Sequence, residues 1–95
     1  MHKKRRESFF KQVALSEVTV VFYESPHRIK DALKRLENIL DSDRPVFVGR
    51  EMTKHFEEFL YGGVGEIMSK LEESPEKVRG EFTVVLAGKK FKMKL

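Results

Sequence analysis

The run Val18-Thr19-Val20-Val21-Phe22-Tyr23, halted by Glu24-Ser25-Pro26, is the feature that most restricts how this chain can fold. Consecutive β-branched and aromatic residues of this kind fit a strand buried on both faces. The Ser-Pro pair suits a helix start, with Ser25 as N-cap and Pro26 at the first helical position, where its missing N–H is no loss. Ile29, Ala32, Leu33, Leu36, Ile39 and Leu40 then recur at helical spacing. A strand feeding directly into a helix sets the junction at one rim of a sheet, where α/β proteins place their ligands. This junction, Phe22-Tyr23-Glu24-Ser25-Pro26-His27-Arg28, carries a phenol, a carboxylate, a hydroxyl, an imidazole and a guanidinium.

The rest of the chain punctuates itself clearly. Residues 4–14 read as a short helix with Phe9, Phe10 and Val13 in one stripe. Asp41-Ser42-Asp43 ends the second helix, and Pro45-Val46-Phe47-Val48-Gly49 reads as a second strand with Pro at its edge. Arg50 to Lys54 form a polar connection. Residues 55–61 make a weaker third strand closed by Gly62-Gly63. Val64, Ile67, Met68 and Leu71 place a helix over 64–73, broken at Ser74-Pro75, and residues 81–87 form the last strand. The order αβαββαβ predicts an α/β fold: a single small domain with a mixed β-sheet flanked by helices. In it a crossover makes the first two strands parallel and a hairpin reverses the third. The alternative is a ferredoxin-like α+β sandwich. An RNA-recognition module on that scaffold ranks third. Phe56, Phe59 and Tyr61 would supply its aromatics, but its glycine-and-basic signature is missing.

Composition narrows the classes. Ninety-five residues make one domain, able to bury roughly 60–65% of its unfolded surface. The absence of Cys excludes disulfides and thiolate metal sites and suits the cytoplasm. His2, His27 and His55 have no ligand spacing, so no metal is expected. No apolar run approaches the roughly 20 residues that span a bilayer, and the N-terminus is charged where a signal peptide would be apolar. A soluble cytoplasmic protein with no membrane partner is the expectation. The net charge of +4 is uneven: residues 1–11 and 88–95 each carry +4, and residues 12–87 carry −4. Basic ends suit phosphate neutralisation; charged termini that keep a small domain soluble are the competing reading.

Two motifs, Phe22-Tyr23-Glu24-Ser25-Pro26-His27-Arg28 and Gly49-Arg50-Glu51-Met52-Thr53-Lys54, resemble a matched pair in the tetrapyrrole methylase-like family of S-adenosylmethionine-dependent methyltransferases. Within that family the likeness is to the enzymes that act on small-subunit ribosomal RNA. Lys3-Lys4-Arg5-Arg6-Glu7-Ser8-Phe9-Phe10 is similar to the family's basic segment ahead of the first motif, and Arg79-Gly80-Glu81-Phe82-Thr83-Val84-Val85 to its closing strand. The likeness covers residues 3 to about 88, in order.

The resemblance implies S-adenosylmethionine as cofactor, without a metal, and methylation of a ribose 2′-hydroxyl of 16S ribosomal RNA in the small ribosomal subunit. Residue by residue, it implies donor contacts at Tyr23, Glu24, Arg50, Glu51, Gly80 and Phe82. RNA contacts are implied at Ser25, His27, Arg28, Thr53, Lys54, Lys3, Lys4, Arg5 and Arg6. Several have a plainer reading. Glu24 suits a partner of the following helix dipole, and Tyr23 a core aromatic with its hydroxyl at the rim. Arg28 suits a local pair with Glu24. Glu51, Lys54 and Glu57 suit surface pairs, and Gly80 suits a turn. No catalytic base stands out. The resemblance further implies an isolated C-terminal domain without its N-terminal partner domain. Two expectations follow: little or no methyl transfer by the chain alone, and apolar surface that favours a homodimer.

Overall fold

The computed structural model describes residues 3–53, 56–73 and 80–93. The elements are α1 (Lys3–Leu15), β1 (Val20–Glu24), α2 (Ile29–Ile39), β2 (Val46–Thr53), β3 (Phe56–Gly62), α3 (Val64–Glu72) and β4 (Glu81–Leu86). The order αβαββαβ is the one the sequence predicts. Ser74-Pro75, read as the stop of the third helix, and Arg79 lie outside the described residues, as do Lys54 and His55.

The strands form one sheet in the order β1-β4-β2-β3, and every neighbouring pair is antiparallel. Here the structure corrects the mixed sheet. β1 and β2 do run the same way, as a crossover through α2 requires, but β4 lies between them. β3 and β4 are likewise joined through α3 with β2 between them. Two split βαβ units therefore interleave, and each central strand gains antiparallel ladders on both edges, the slightly more stable pairing.

Two boundaries also move. β2 continues through Arg50 to Thr53, which the sequence reads as a connection, because the hairpin with β3 carries the ladder on to Thr53↔Phe56, past an irregularity between Glu51 and Thr53. α2 begins at Ile29, not at Pro26. Residues 26–28 form a turn in which the Ser25 carbonyl, not a serine cap, accepts the N–H groups of Arg28 and Ile29, each at 3.0 Å.

All three helices cover one face of the sheet. Phe10 and Val13 of α1, Ile29, Ala32, Leu33 and Leu36 of α2, and Val64, Ile67 and Leu71 of α3 share one cluster with Phe22, Val46, Val48, Phe82, Val84 and Leu86. Phe9, Phe10 and Phe22 meet edge to face, with ring centroids 5.2–5.9 Å apart. The strand residues in that cluster are all of one parity, as a period of two demands. On the other parity Val21, Tyr23, Phe59 and Tyr61 are exposed, and Phe47, Gly49, Thr83 and Val85 of the central strands are half-buried. Among the described residues no helix is long and apolar enough to cross a membrane.

Candidate functional site: a sheet rim with two faces

Because β1 and β2 run in the same direction, their carboxyl ends reach one rim, with the start of β4 between them. The junction Glu24–Arg28 and the segment Arg50–Thr53 therefore emerge at the same rim, on either side of the start of β4. This convergence depends only on strand direction, so it survives the change in strand order. Alternation along each strand nevertheless divides the residues between two faces.

On the helix-covered face, Glu24, Phe82, Arg50 and Glu58 form one cross-strand row. Each is already engaged within the protein. Phe82 is fully buried. Arg50 Nη2 donates to Glu58 Oε2 at 2.9 Å. Glu24 Oε1 accepts from Arg6 Nη1 at 2.9 Å, with both side chains under 10% exposed. Arg6 also donates through Nε to Asp31 Oδ2 at 3.0 Å and through Nη2 to the Arg28 carbonyl at 3.4 Å, and it lies 5.0 Å above the Phe10 ring. The structure thus draws Arg6 out of the basic arm to which the sequence assigns it. One guanidinium joins α1, β1 and α2 and holds the turn of the first motif from beneath. Arg28, expected as a local partner of Glu24, gives that place to Arg6.

Desolvation opposes the charge on Arg6, but hydrogen bonds to Glu24 and Asp31 outweigh it and raise its pKa. The half-exposed Asp31 feels a similar contest. Desolvation pushes its carboxyl up, and hydrogen bonds from Arg6 and Arg35 bring it below the ordinary value of 3.8. A carboxyl depressed by folding stabilises the fold above its unfolded pKa, and that contribution disappears as pH falls through the folded value. In an NMR titration Asp31 should therefore show a midpoint below 3.8, moving up when Arg6 or Arg35 is replaced. A midpoint unmoved by either replacement would mean that Arg6 and Arg35 do not hold the Asp31 carboxyl.

The open face is different in kind. Tyr23, Thr83, Gly49 and Phe59 form one row, and Glu81, Glu51 and Glu57 form the next toward the rim. They line a shallow hollow of about 360 Å³, in which the Phe47 and Phe59 rings stack with centroids 5.4 Å apart. Of the residues expected to hold the donor, Tyr23 and Glu51 therefore face the open side, while Glu24, Arg50 and Phe82 lie under the helices. Gly80 stands at the entry to β4 with φ +82°, a left-handed conformation that glycine adopts without strain, so a turn alone accounts for its identity.

Ser25 is half-buried in the turn, and His27 and Arg28 are exposed beside it. Lys4 and Arg5 are exposed along α1. Lys3 and Thr53 stand at the ends of α1 and β2. Lys54 lies outside the described residues. Among those residues no group of acidic or histidine side chains is arranged to hold a metal.

Arg44, Phe47 and Glu81 are not marked by the sequence as part of any site, and Phe59 enters there only with the RNA-recognition alternative. Arg44 is buried, donating from Nε to the Ala87 carbonyl at 2.7 Å and from Nη1 to the Ala14 carbonyl at 2.9 Å. It fastens the C-terminal end of α1 to the end of β4, a favourable place for a cation. Burial lowers its pKa, with Asp41 opposing. No local motif marks it, because its acceptors are 30 and 43 residues away.

Curated proteins provide the decisive likeness. Over 86 residues, 90% of this chain, it is 37% identical to the ribosomal RNA small subunit methyltransferase I of Bacillus subtilis, covering 28% of that protein. This chain is homologous to ribosomal RNA small subunit methyltransferase I. The Thermotoga maritima protein of that name is 42% identical over 86 residues, with 90% of this chain and 37% of that one covered. The Haemophilus influenzae protein is 33% identical over the same share of this chain. The chain thus spans about a third of the length of the methyltransferase I proteins it matches. No family model matches it. Among solved structures, a cobalt precorrin-4 methyltransferase shares the fold, with a TM-score of 0.61 over 82% of this chain and 32% of that one, at 18% identity.

Proposed function

We propose that this chain is the C-terminal portion of an S-adenosylmethionine-dependent methyltransferase that modifies a ribose 2′-hydroxyl of 16S ribosomal RNA in the cytoplasm. The observation that carries the reading is the meeting of both family motifs at one rim, in a chain homologous to methyltransferase I along nine-tenths of its length. The donor supplies an electrophilic methyl group. The protein must align it with the acceptor oxygen and accept the proton released.

These residues fit one wall of a donor pocket, not the whole of it. Glu24, Arg50 and Phe82 are held in the protein's own packing, and the rim is open to solvent. A small-molecule site normally buries about 70–90% of its ligand. The remaining walls, and the catalytic base, belong in this reading to an N-terminal domain in a protein of the relatives' length. The chain's own share is the turn Ser25–Arg28, the backbone at Gly80 and the end of β2. RNA meets the basic side of the rim: His27 and Arg28, with Lys4 and Arg5 on α1, where cations neutralise phosphates.

The chain alone, given S-adenosylmethionine and small ribosomal subunits, should transfer no methyl group above background. A hybrid in which residues 3–88 replace the matching segment of the Bacillus subtilis relative should transfer methyl groups, and Arg28→Ala in that hybrid should weaken RNA binding and flatten its salt dependence. Turnover by the chain alone would show the site to be complete without an N-terminal domain. A folded but inactive hybrid would remove the assignment. A tetrapyrrole substrate is the second reading, favoured only by the fold shared with the precorrin enzyme; it predicts no steep salt dependence of RNA binding.

A further inference from the structure

We propose that the turn Gly88–Lys92, at the end of the sheet away from the rim, is a second contact for single-stranded RNA. Phe91 stacks on a base there, and Lys90 and Lys92 neutralise phosphates. The proposal rests on the reading of RNA as substrate and adds a site to it. The turn follows the end of β4, whereas the rim lies at its start. The segment is seated on the fold by a series of backbone bonds. The Ala87 N–H donates to the Pro45 carbonyl at 3.1 Å and the Lys89 N–H to the Ser16 carbonyl at 2.9 Å. The Phe91 N–H donates to the Gly88 carbonyl at 2.9 Å and the Met93 N–H to the Asp43 carbonyl at 2.7 Å. Gly88 is buried against the Glu17 carbonyl, so closely that a Cβ there would overlap it.

On that fixed backbone the side chains of residues 89–92 are all exposed, Phe91 by 60%. A single exposed aromatic is ordinary on a protein surface. This one stands between two ammonium groups on an ordered turn, so little backbone freedom remains to be lost on binding. Lys89 lies 3.9 Å from Glu17, and the charge offered to a ligand therefore comes mainly from Lys90 and Lys92. An aromatic face beside cations is the combination that holds single strands, because every base has a face to stack and every linkage a charge to neutralise.

The path from the rim supports the same partner. α1 begins beside the first motif, where Arg6 donates to the Arg28 carbonyl, and Ser16, just past its end, receives the Lys89 N–H. Lys4 and Lys11 are exposed and two turns apart, so they share one side of the helix. Glu7, between them in sequence, reaches Arg35 at 3.6 Å. A strand leaving Arg28 can follow that side along the 13 residues of α1, about 20 Å, and arrive at Phe91. Other occupants fit less well. A duplex keeps its bases stacked on one another, and an acidic peptide would use the lysines but leave the ring idle. A bilayer would gain one ring, too little for stable attachment.

The test titrates a labelled single-stranded oligoribonucleotide with the chain over a series of salt concentrations, reading affinity by fluorescence anisotropy. Inorganic polyphosphate and phosphatidylglycerol vesicles serve as parallel probes. Phe91→Ala should weaken RNA binding at least about fivefold, the lower end for one stacked base, and leave the salt slope unchanged. Lys90→Gln with Lys92→Gln should flatten that slope by about 1.4, at about 0.7 for each phosphate contact on a single strand. Lys34→Gln with Lys70→Gln, which removes the same charge from α2 and α3, should leave the slope as it is. All these side chains are exposed, so each variant should keep the parent's Tm. Arg28→Ala separates the two sites. If it alone weakens binding, the rim reading stands and the turn is overturned. If the turn variants weaken binding and Arg28→Ala does not, the turn stands and the rim assignment falls. No RNA binding by the parent chain would overturn the proposal. So would equal weakening of polyphosphate binding by Phe91→Ala, since no base is then stacked, or loss of vesicle binding but not RNA binding in that variant.

Discussion

Arg6→Met should lower folding stability by about 3–5 kcal/mol, the range for removing one member of a buried ion pair. The loss arises less from the missing attraction than from Glu24, whose buried carboxyl group is left without its partner. Asp31 and the Arg28 carbonyl lose a donor at the same time. At this size each kcal/mol corresponds to about 4–8 °C in Tm, so calorimetry should show the effect easily. Adding Glu24→Gln to Arg6→Met should restore a large part of the loss, because the orphaned charge is then removed. A fall below about 1 kcal/mol in the single variant, the usual ceiling for exposed pairs, would mean that water reaches Glu24 and that the network is not what seats the turn.

Phe82→Ala should cost about 3–5 kcal/mol in urea unfolding, as a fully buried aromatic lost from a central strand. Phe82→Leu should cost about 1–2 kcal/mol, since it keeps most of the volume. The pair of variants separates two roles. The resemblance makes Phe82 a donor contact, whereas its position under the helices makes it a core residue. If packing is its role, donor affinity in the relatives' length of protein should follow stability across the two variants. A Phe82→Leu protein that folds normally yet loses donor binding would restore the contact.

Much of the fold was legible along the chain. The β-branched run before Ser25-Pro26, the apolar face from Ile29 to Leu40 and the glycine pair at 62–63 mark elements by local spacing, and local spacing is what a linear sequence displays. Boundaries failed where a neighbour overrode local chemistry. Arg50 to Thr53 look like a loop because they are polar, but a partner strand extends β2 through them. Pro26 looks like a helix start, but the backbone closes a turn on the Ser25 carbonyl first.

The candidate site was half legible. Reading along the chain is enough to obtain the element order, the common direction of the first and second strands, and so the meeting of both motifs at one rim. These follow from hydrophobic period and from the crossover that a helix imposes. Which side of the sheet each rim residue serves emerges only when the strands pair in three dimensions. That choice depends on strand register, and a shift of one residue moves every side chain to the opposite face. Register turned Glu24, Arg50 and Phe82 under the helices. It also placed Arg6 in the interior, where Glu24 supplies a partner 18 residues away that no local pattern announces. The same register left Glu51, Glu57 and Glu81 in one open row, an arrangement that only the pairing of three separate strands can create.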